Sequence, residues 1–183
     1  ADGIRLAQAL EPYHPFFLEE PTVPDNLDSL LEVKARTNIP IAAGERCVTR
    51  ESMRQLIEKR AAHIVQPEPS VNGGLLQTVK LAAMADLYHI SVAPHQTGSP
   101  VSLNACLHID ACTPNFLIQE FNLIDSQCMR DLFGQVPQVV DGYLPLPDRP
   151  GLGVELNEDA VSAYSPQAWR RRVIIQMDGS IGF

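Results

Sequence analysis

Four carboxylates and one histidine recur at matched places in this 183-residue sequence. Glu19 ends the run FFLE (16–19), Glu45 ends IPIAAGE (39–45), Glu68 ends AHIVQPE (62–68), His95 ends ISVAPH (90–95) and Glu120 ends NFLIQE (115–120). Carboxylates brought together with water and substrate oxygens make an octahedral site for a hard cation of the magnesium type. Glu19 and Glu45, on successive runs, are the candidate ligands. An imidazole in a loop, as in APHQTGSP, is a candidate general acid or base near neutral pH. Glu68 closes the preceding run and could accept a hydrogen bond from one imidazole nitrogen, fixing its tautomer. Taken singly, each acid reads equally as a surface or loop carboxylate and His95 as a structural histidine. The shared position at a run's end is what joins them.

The elements that would position these groups follow from the spacing. Centred on Phe17, Ile41, Ile64, Val92 and Leu117, the runs succeed one another at steps of 24, 23, 28 and 25 residues, which is a repeat. Between them lie helical patterns. Asp25 or Asn26 can cap a helix bearing Leu27, Leu30, Leu31 and Val33, and Thr49 with Ser52 precedes Met53, Leu56 and Ile57. A third helix carries Leu75, Val79, Ala82 and Ala83, and a fourth Val101, Ala105 and His108. Continuous apolar strands alternating with such helices predict parallel βα units.

A doubly wound sheet and a (β/α) barrel both fit that alternation. A doubly wound sheet gathers its ligand at one switch point, whereas a barrel collects functional groups from many strand ends at one mouth. Five polar strand ends therefore favour an α/β fold of the TIM-barrel type. A full barrel has eight units in about 250 residues, and this chain offers about five, preceded by one helix, GIRLAQAL (3–10). The expectation is the C-terminal part of a barrel over residues 1–125, with an irregular extension over 126–183 packing on the barrel or a capping domain. Proline and glycine crowd 135–157, and a basic, aromatic tail surrounds Trp169.

The formal net charge of −8 and the lack of any basic run longer than Arg170–Arg172 argue against a nucleic-acid surface. That arginine run suits a solvated face or a subunit contact. Cys47, Cys106, Cys112 and Cys128 form neither a C-x-x-C pair nor a disulfide-dense pattern, so reduced thiols in a cytoplasmic protein are expected. No apolar run approaches 18 residues, so neither a membrane span nor a membrane partner is expected. Arg46 could meet a substrate carboxylate or remain a solvated charge. Gly73–Gly74 could open an anion-binding helix terminus, although a simple turn explains it as well. His14, His63, His89 and His108 show no metal spacing.

The quoted motifs FFLEEP, IPIAAGER, HIVQPEPSVNGG, SVAPHQTGSP and TPNFLIQEF, with PGLGVELN and DGSIGF behind them, resemble the enolase superfamily, in particular its mandelate racemase branch and the sugar-acid dehydratases of the galactonate type. The order and spacing are those of that family's fourth to eighth barrel strands, over nearly the whole chain. The resemblance implies a magnesium ion held by three strand-end carboxylates, two of them carried over as Glu19 and Glu45. It also implies an enediolate formed when a base removes the proton α to the substrate carboxylate. His95 matches the family's base, or its acid toward a departing hydroxyl, and Glu120 matches a last-strand acid that hydrogen-bonds the substrate region. Racemisation or epimerisation is the implied alternative reaction. A non-catalytic barrel fragment that needs a partner chain is an alternative of another class.

Two departures accompany the resemblance. Glu68 stands where the family usually has an aspartate orienting the histidine, one methylene longer and so in doubt as a tight partner. The family's second and third strands, with the third metal ligand, have no counterpart here. The chain alone is therefore expected to be inactive, and to work as a homo-oligomer or with the missing N-terminal part on a small sugar acid.

Overall fold

Asn26, not Asp25, starts the first of the expected helices. In the computed structural model, which describes residues 2–122 and 125–164 and the strand residues 174–175 and 181–182, its side chain accepts the Asp28 and Ser29 N–H groups at 3.1 Å each. Helix α2, Leu27–Lys34, follows. Thr49 and Ser52 form a reciprocal capping box at the head of α3, Arg50–Glu58, satisfying two N–H groups that a bare terminus would leave orphaned. Helices α1 (Asp2–Leu10), α4 (Gly74–Leu87) and α5 (Pro100–Asp110) complete the alternation.

Four short strands lie between the helices: β1 (Leu18–Glu19), β2 (Ile41–Ala43), β3 (Ile64–Val65) and β4 (Ser91–Val92). They form one parallel sheet in chain order, with Leu18 opposite Ile41, Ala42 opposite Ile64 and Ile64 opposite Ser91. This is the α/β, parallel-barrel architecture expected, carried as an arc of successive βα units.

The fifth run departs from expectation. Residues 115–120 add only a bridge, Phe116 beside Val92, held by the bonds Val92 N to Asn115 O (2.9 Å) and Leu117 N to Val92 O (2.8 Å). Among the described residues no strand pairs with its other side. Phe116, Leu117 and Ile118 stay 38, 37 and 46% exposed, so apolar burial does not lock it into a longer ladder.

Alternation along the strands sorts the core into two layers. Ile41, Ala43, Val65 and Val92 face the helices and pack with Leu30, Val33, Met53, Leu56, Ile57, Leu81, Ala82 and Ala85. Ala42, Ile64 and Ala93 face the other way and meet Phe17 in a smaller cluster. Met53 is fully buried in the larger layer, and Met53→Ala is expected to cost about 2–5 kcal/mol, read as a lower urea midpoint.

Two helices bury faces that overlap the expected apolar residues only at Ala82. On α4 the buried residues are Thr78, Leu81, Ala82 and Ala85, with Leu75 exposed; on α5 they include Leu103, Cys106, Leu107 and Ile109, with Val101 exposed. Both helices carry small apolar residues around most of their circumference, so no stripe marks the inward side.

Beyond the sheet, α6 (Gln127–Phe133) and α7 (Glu158–Val161) were not legible as helices, and 135–157 is mainly irregular chain with a few turns and a Val140–Tyr143 bridge. The Asn104 side chain of α5 donates to Leu152 O at 2.9 Å, tying this segment to the barrel. Strands β5 (Ile174–Ile175) and β6 (Ile181–Gly182) pair antiparallel. Trp169 and Arg170–Arg172 lie outside the described residues.

Asp110, at the end of α5, has both carboxyl oxygens buried without a hydrogen-bond partner among the described residues. Burial pushes its carboxyl from the ordinary 3.8 up to about 8. The folded state therefore holds a proton that the unfolded state releases. Stability is fully present below the unfolded value and is lost as pH rises toward about 8. Asp110→Asn is expected to flatten that loss, seen as urea midpoints that differ less between pH 5 and pH 8 than those of the parent.

Candidate active site

The inner layer of the sheet leads directly to the polar strand ends. Glu19 stands two residues beyond Phe17, and His95 two beyond Ala93, so each follows an inward-facing apolar residue. Glu45 is out of phase with Ala42, and Gly44 between them makes the correction. Its φ of 142° lies where side chains are strained, and a Cβ there would sit 2.9 Å from the Gln66 backbone nitrogen. The strand pairing continues past β3 and β4 through Ala93 N to Val65 O (3.0 Å) and His95 N to Pro67 O (3.2 Å).

His95 lies at the centre of the resulting cluster. Its Nδ1 is 2.9 Å from Glu68 Oε2, and its Nε2 is 3.2 Å from Glu45 Oε2 and 3.8 Å from Glu120 Oε2. Glu68 is nearly buried, with 7% of its side chain exposed. The extra methylene relative to aspartate therefore still reaches the ring. Glu120 is held in place because its Oε2 accepts the Gln96 N–H at 2.8 Å, which offsets the weak pairing of its own strand. Nδ1 is committed to Glu68, so Nε2 is the nitrogen turned toward the open end, where it can take or give a proton.

Glu19 joins the group electrostatically. Burial is the main reason its carboxyl is held above the ordinary range; repulsion from Glu120 and Glu45 adds to this, while the Gln66 amide and His95 oppose it. Glu20, absent from the anticipated site, belongs to the same neighbourhood. Its backbone is left-handed (φ 37°), and burial, then repulsion from Glu45, raises its carboxyl. Arg46 Nε lies 3.3 Å from Glu20 Oε2 and 3.7 Å from Glu45 Oε1, with half its side chain exposed. A second acid before a proline is the only sequence signal for Glu20. Gly74 N–H donates to Pro69 O at 2.9 Å, so that donor is not free for an anion. His63 Nδ1 accepts the Ile41 N–H at 3.0 Å, a structural role.

A hard divalent cation suits this donor set. Oxygen donors dominate, and the repulsion that raises Glu19 is an excess of negative charge that a cation would relieve. Among the described residues no three His, Cys, Asp or Glu side chains are arranged to hold an ion by themselves. Glu19 and Glu45 would thus be a partial ligand set, completed by other oxygens.

Comparison with known proteins places this geometry in context. The family described as enolase C-terminal domain-like matches residues 1–160. The D-galactonate dehydratase of Ralstonia pickettii (strain 12J) is 38% identical over 184 residues, covering 96% of this chain and 48% of the relative. That of Cronobacter sakazakii (strain ATCC BAA-894) is 36% identical over 190 residues, with the same coverage. The chain spans about half the length of the curated relatives it matches. An enolase from Agrobacterium radiobacter, solved with sodium and L-malate bound, superimposes with a TM-score of 0.89 at 33% identity over 99% of this chain and 49% of that one. An enolase from Pantoea ananatis, solved with D-gluconate and magnesium, gives 0.83 at 33% identity over 91% and 40%.

Proposed function

We propose, from the premise that this chain belongs to the enolase C-terminal domain-like family, that it carries the acid–base histidine of a sugar-acid dehydratase. The observation that supports this best is the His95 ring, fixed at Nδ1 by Glu68 and turned at Nε2 toward Glu45 and Glu120. An aldonic acid gives its α-proton to a base outside this set of side chains and loses its β-hydroxyl, and the enol so formed tautomerises to a 2-keto-3-deoxy acid. His95 Nε2 delivers the proton with which the hydroxyl leaves as water. Glu68 keeps the ring from turning away, so proton delivery needs no reorientation in the transition state. Glu120, anchored by the Gln96 N–H, is placed to hydrogen-bond the substrate beside the ring. A magnesium ion, held in part by Glu19 and Glu45, would supply positive charge against the substrate carboxylate and the charge that develops as the α-proton leaves. The relatives named for D-galactonate and the neighbour solved with D-gluconate and magnesium support this substrate class.

The test is incubation of the intact protein with magnesium and D-galactonate or D-gluconate in deuterated water. A 2-keto-3-deoxy acid is the expected product. Deuterium at the α-carbon of unchanged sugar acid would instead assign racemisation or epimerisation. Neither product nor exchange from any aldonic acid would remove the reading.

A further inference from the structure

Glu68 has one more rotor than an aspartate, and a freely turning side chain would not hold the ring of His95. Its backbone is fixed, because the Val71 and Asn72 N–H groups both donate to Glu68 O at 3.0 Å. Its side chain is fixed by two serines from different parts of the chain. Glu68 Oε1 accepts the Ser70 hydroxyl at 2.6 Å, the Ser70 N–H at 3.2 Å and the Ser102 hydroxyl at 3.3 Å. That leaves Oε2 for His95 Nδ1 at 2.9 Å. Ser102 arrives from α5, 34 positions away, and the preceding loop is shaped around it. A Cβ on Gly98 would lie 2.9 Å from Ser102 Cβ and 3.2 Å from its Oγ, so glycine is what lets the loop close on that serine. Gln96 Nε2 donates to Gly98 O at 3.1 Å and holds the loop there.

We infer that Ser70 and Ser102 are positioning residues that lock one oxygen of Glu68 so that the other orients His95. The pair adapts the site to a glutamate at this position. Hydrogen bonds to a buried carboxylate are charge-assisted and directional, and three on one oxygen select a single rotamer. Their importance for turnover rests on the proposed role of His95; the geometric effect does not.

The experiment uses the intact protein labelled with 15N-histidine. The His95 Nδ1 proton, assigned by its loss in His95→Asn, is expected as a downfield signal that exchanges slowly with water. Ser70→Ala should speed that exchange by about tenfold, Ser102→Ala by less because its bond is longer, and the double variant by the most. Ser70 is exposed, so Ser70→Thr keeps the hydroxyl with room for the methyl and should restore the parent rate. An unchanged rate in the double variant overturns the inference; if that variant does not fold, an unchanged rate in Ser70→Ala overturns it equally. Exchange as fast in Ser70→Thr as in Ser70→Ala also overturns it. With a sugar acid, the alanine variants should lose kcat at nearly constant KM. A protein that passes the exchange test but never dehydrates a sugar acid would retain the positioning role and lose the proposed function.

Discussion

His95→Asn in the intact protein is expected to slow sugar-acid dehydration by about 10²- to 10⁴-fold, the range that a positioned acid or base contributes. Asparagine offers no titrating nitrogen where Nε2 faces Glu45 and Glu120. In the proposed reaction the lost interaction is one made with the departing hydroxyl in the transition state, so kcat and kcat/KM should fall together while KM changes little. Circular dichroism should be unchanged, because the ring lies at the open end of the strands and outside both core layers. A variant that keeps its rate within a factor of about two would remove His95 from proton transfer.

The second large effect concerns charge. Glu45→Gln and Glu19→Gln preserve shape while each removes a carboxylate from the proposed cation site. Magnesium affinity, followed by titration calorimetry, is expected to weaken by about a hundredfold or more in either variant, since even residues outside the ligand shell are worth 10- to 100-fold. Glu45→Gln should have the broader consequence. Its carboxylate also touches His95 Nε2 at 3.2 Å and Arg46 at 3.7 Å, so its loss disturbs the ring and the neighbouring ion pair as well. Glu19→Gln should also relieve the repulsion from Glu120 and Glu45 that adds to burial in holding its carboxyl above the ordinary range. Full-strength magnesium binding in both variants would show that the ion, if bound, lies elsewhere.

Much of this arrangement was legible because it is local and repeated. Strand and helix lengths set the steps between Phe17, Ile41, Ile64, Val92 and Leu117, and Asn26 and Thr49 announce helix starts through hydrogen bonds within three residues. Glu19 and His95 could be placed at strand ends because each closes an apolar run; the structure adds that each follows an inward apolar residue by two positions. The features that escaped depend on distant partners. Nothing near Ser102 in sequence says that it reaches Glu68. The need for glycine at 44 comes from the next strand, whose Gln66 backbone would meet a Cβ there at 2.9 Å. The buried faces of α4 and α5 are chosen by what packs on nearly uniform apolar helices. The run at 115–120 has strand composition, but its pairing with β4 is a single bridge and its apolar residues stay partly exposed.

The claim on which the account turns is that Glu19, Glu45 and His95 border a single cation-centred cavity. Diffraction at the manganese absorption edge from crystals of the intact protein, with manganese in place of magnesium, tests it most directly. One anomalous peak is expected at about 2.0–2.2 Å from carboxylate oxygens of both Glu19 and Glu45, on the side facing the imidazole. A peak held by other residues, with both of these carboxylates out of coordinating reach, would contradict it.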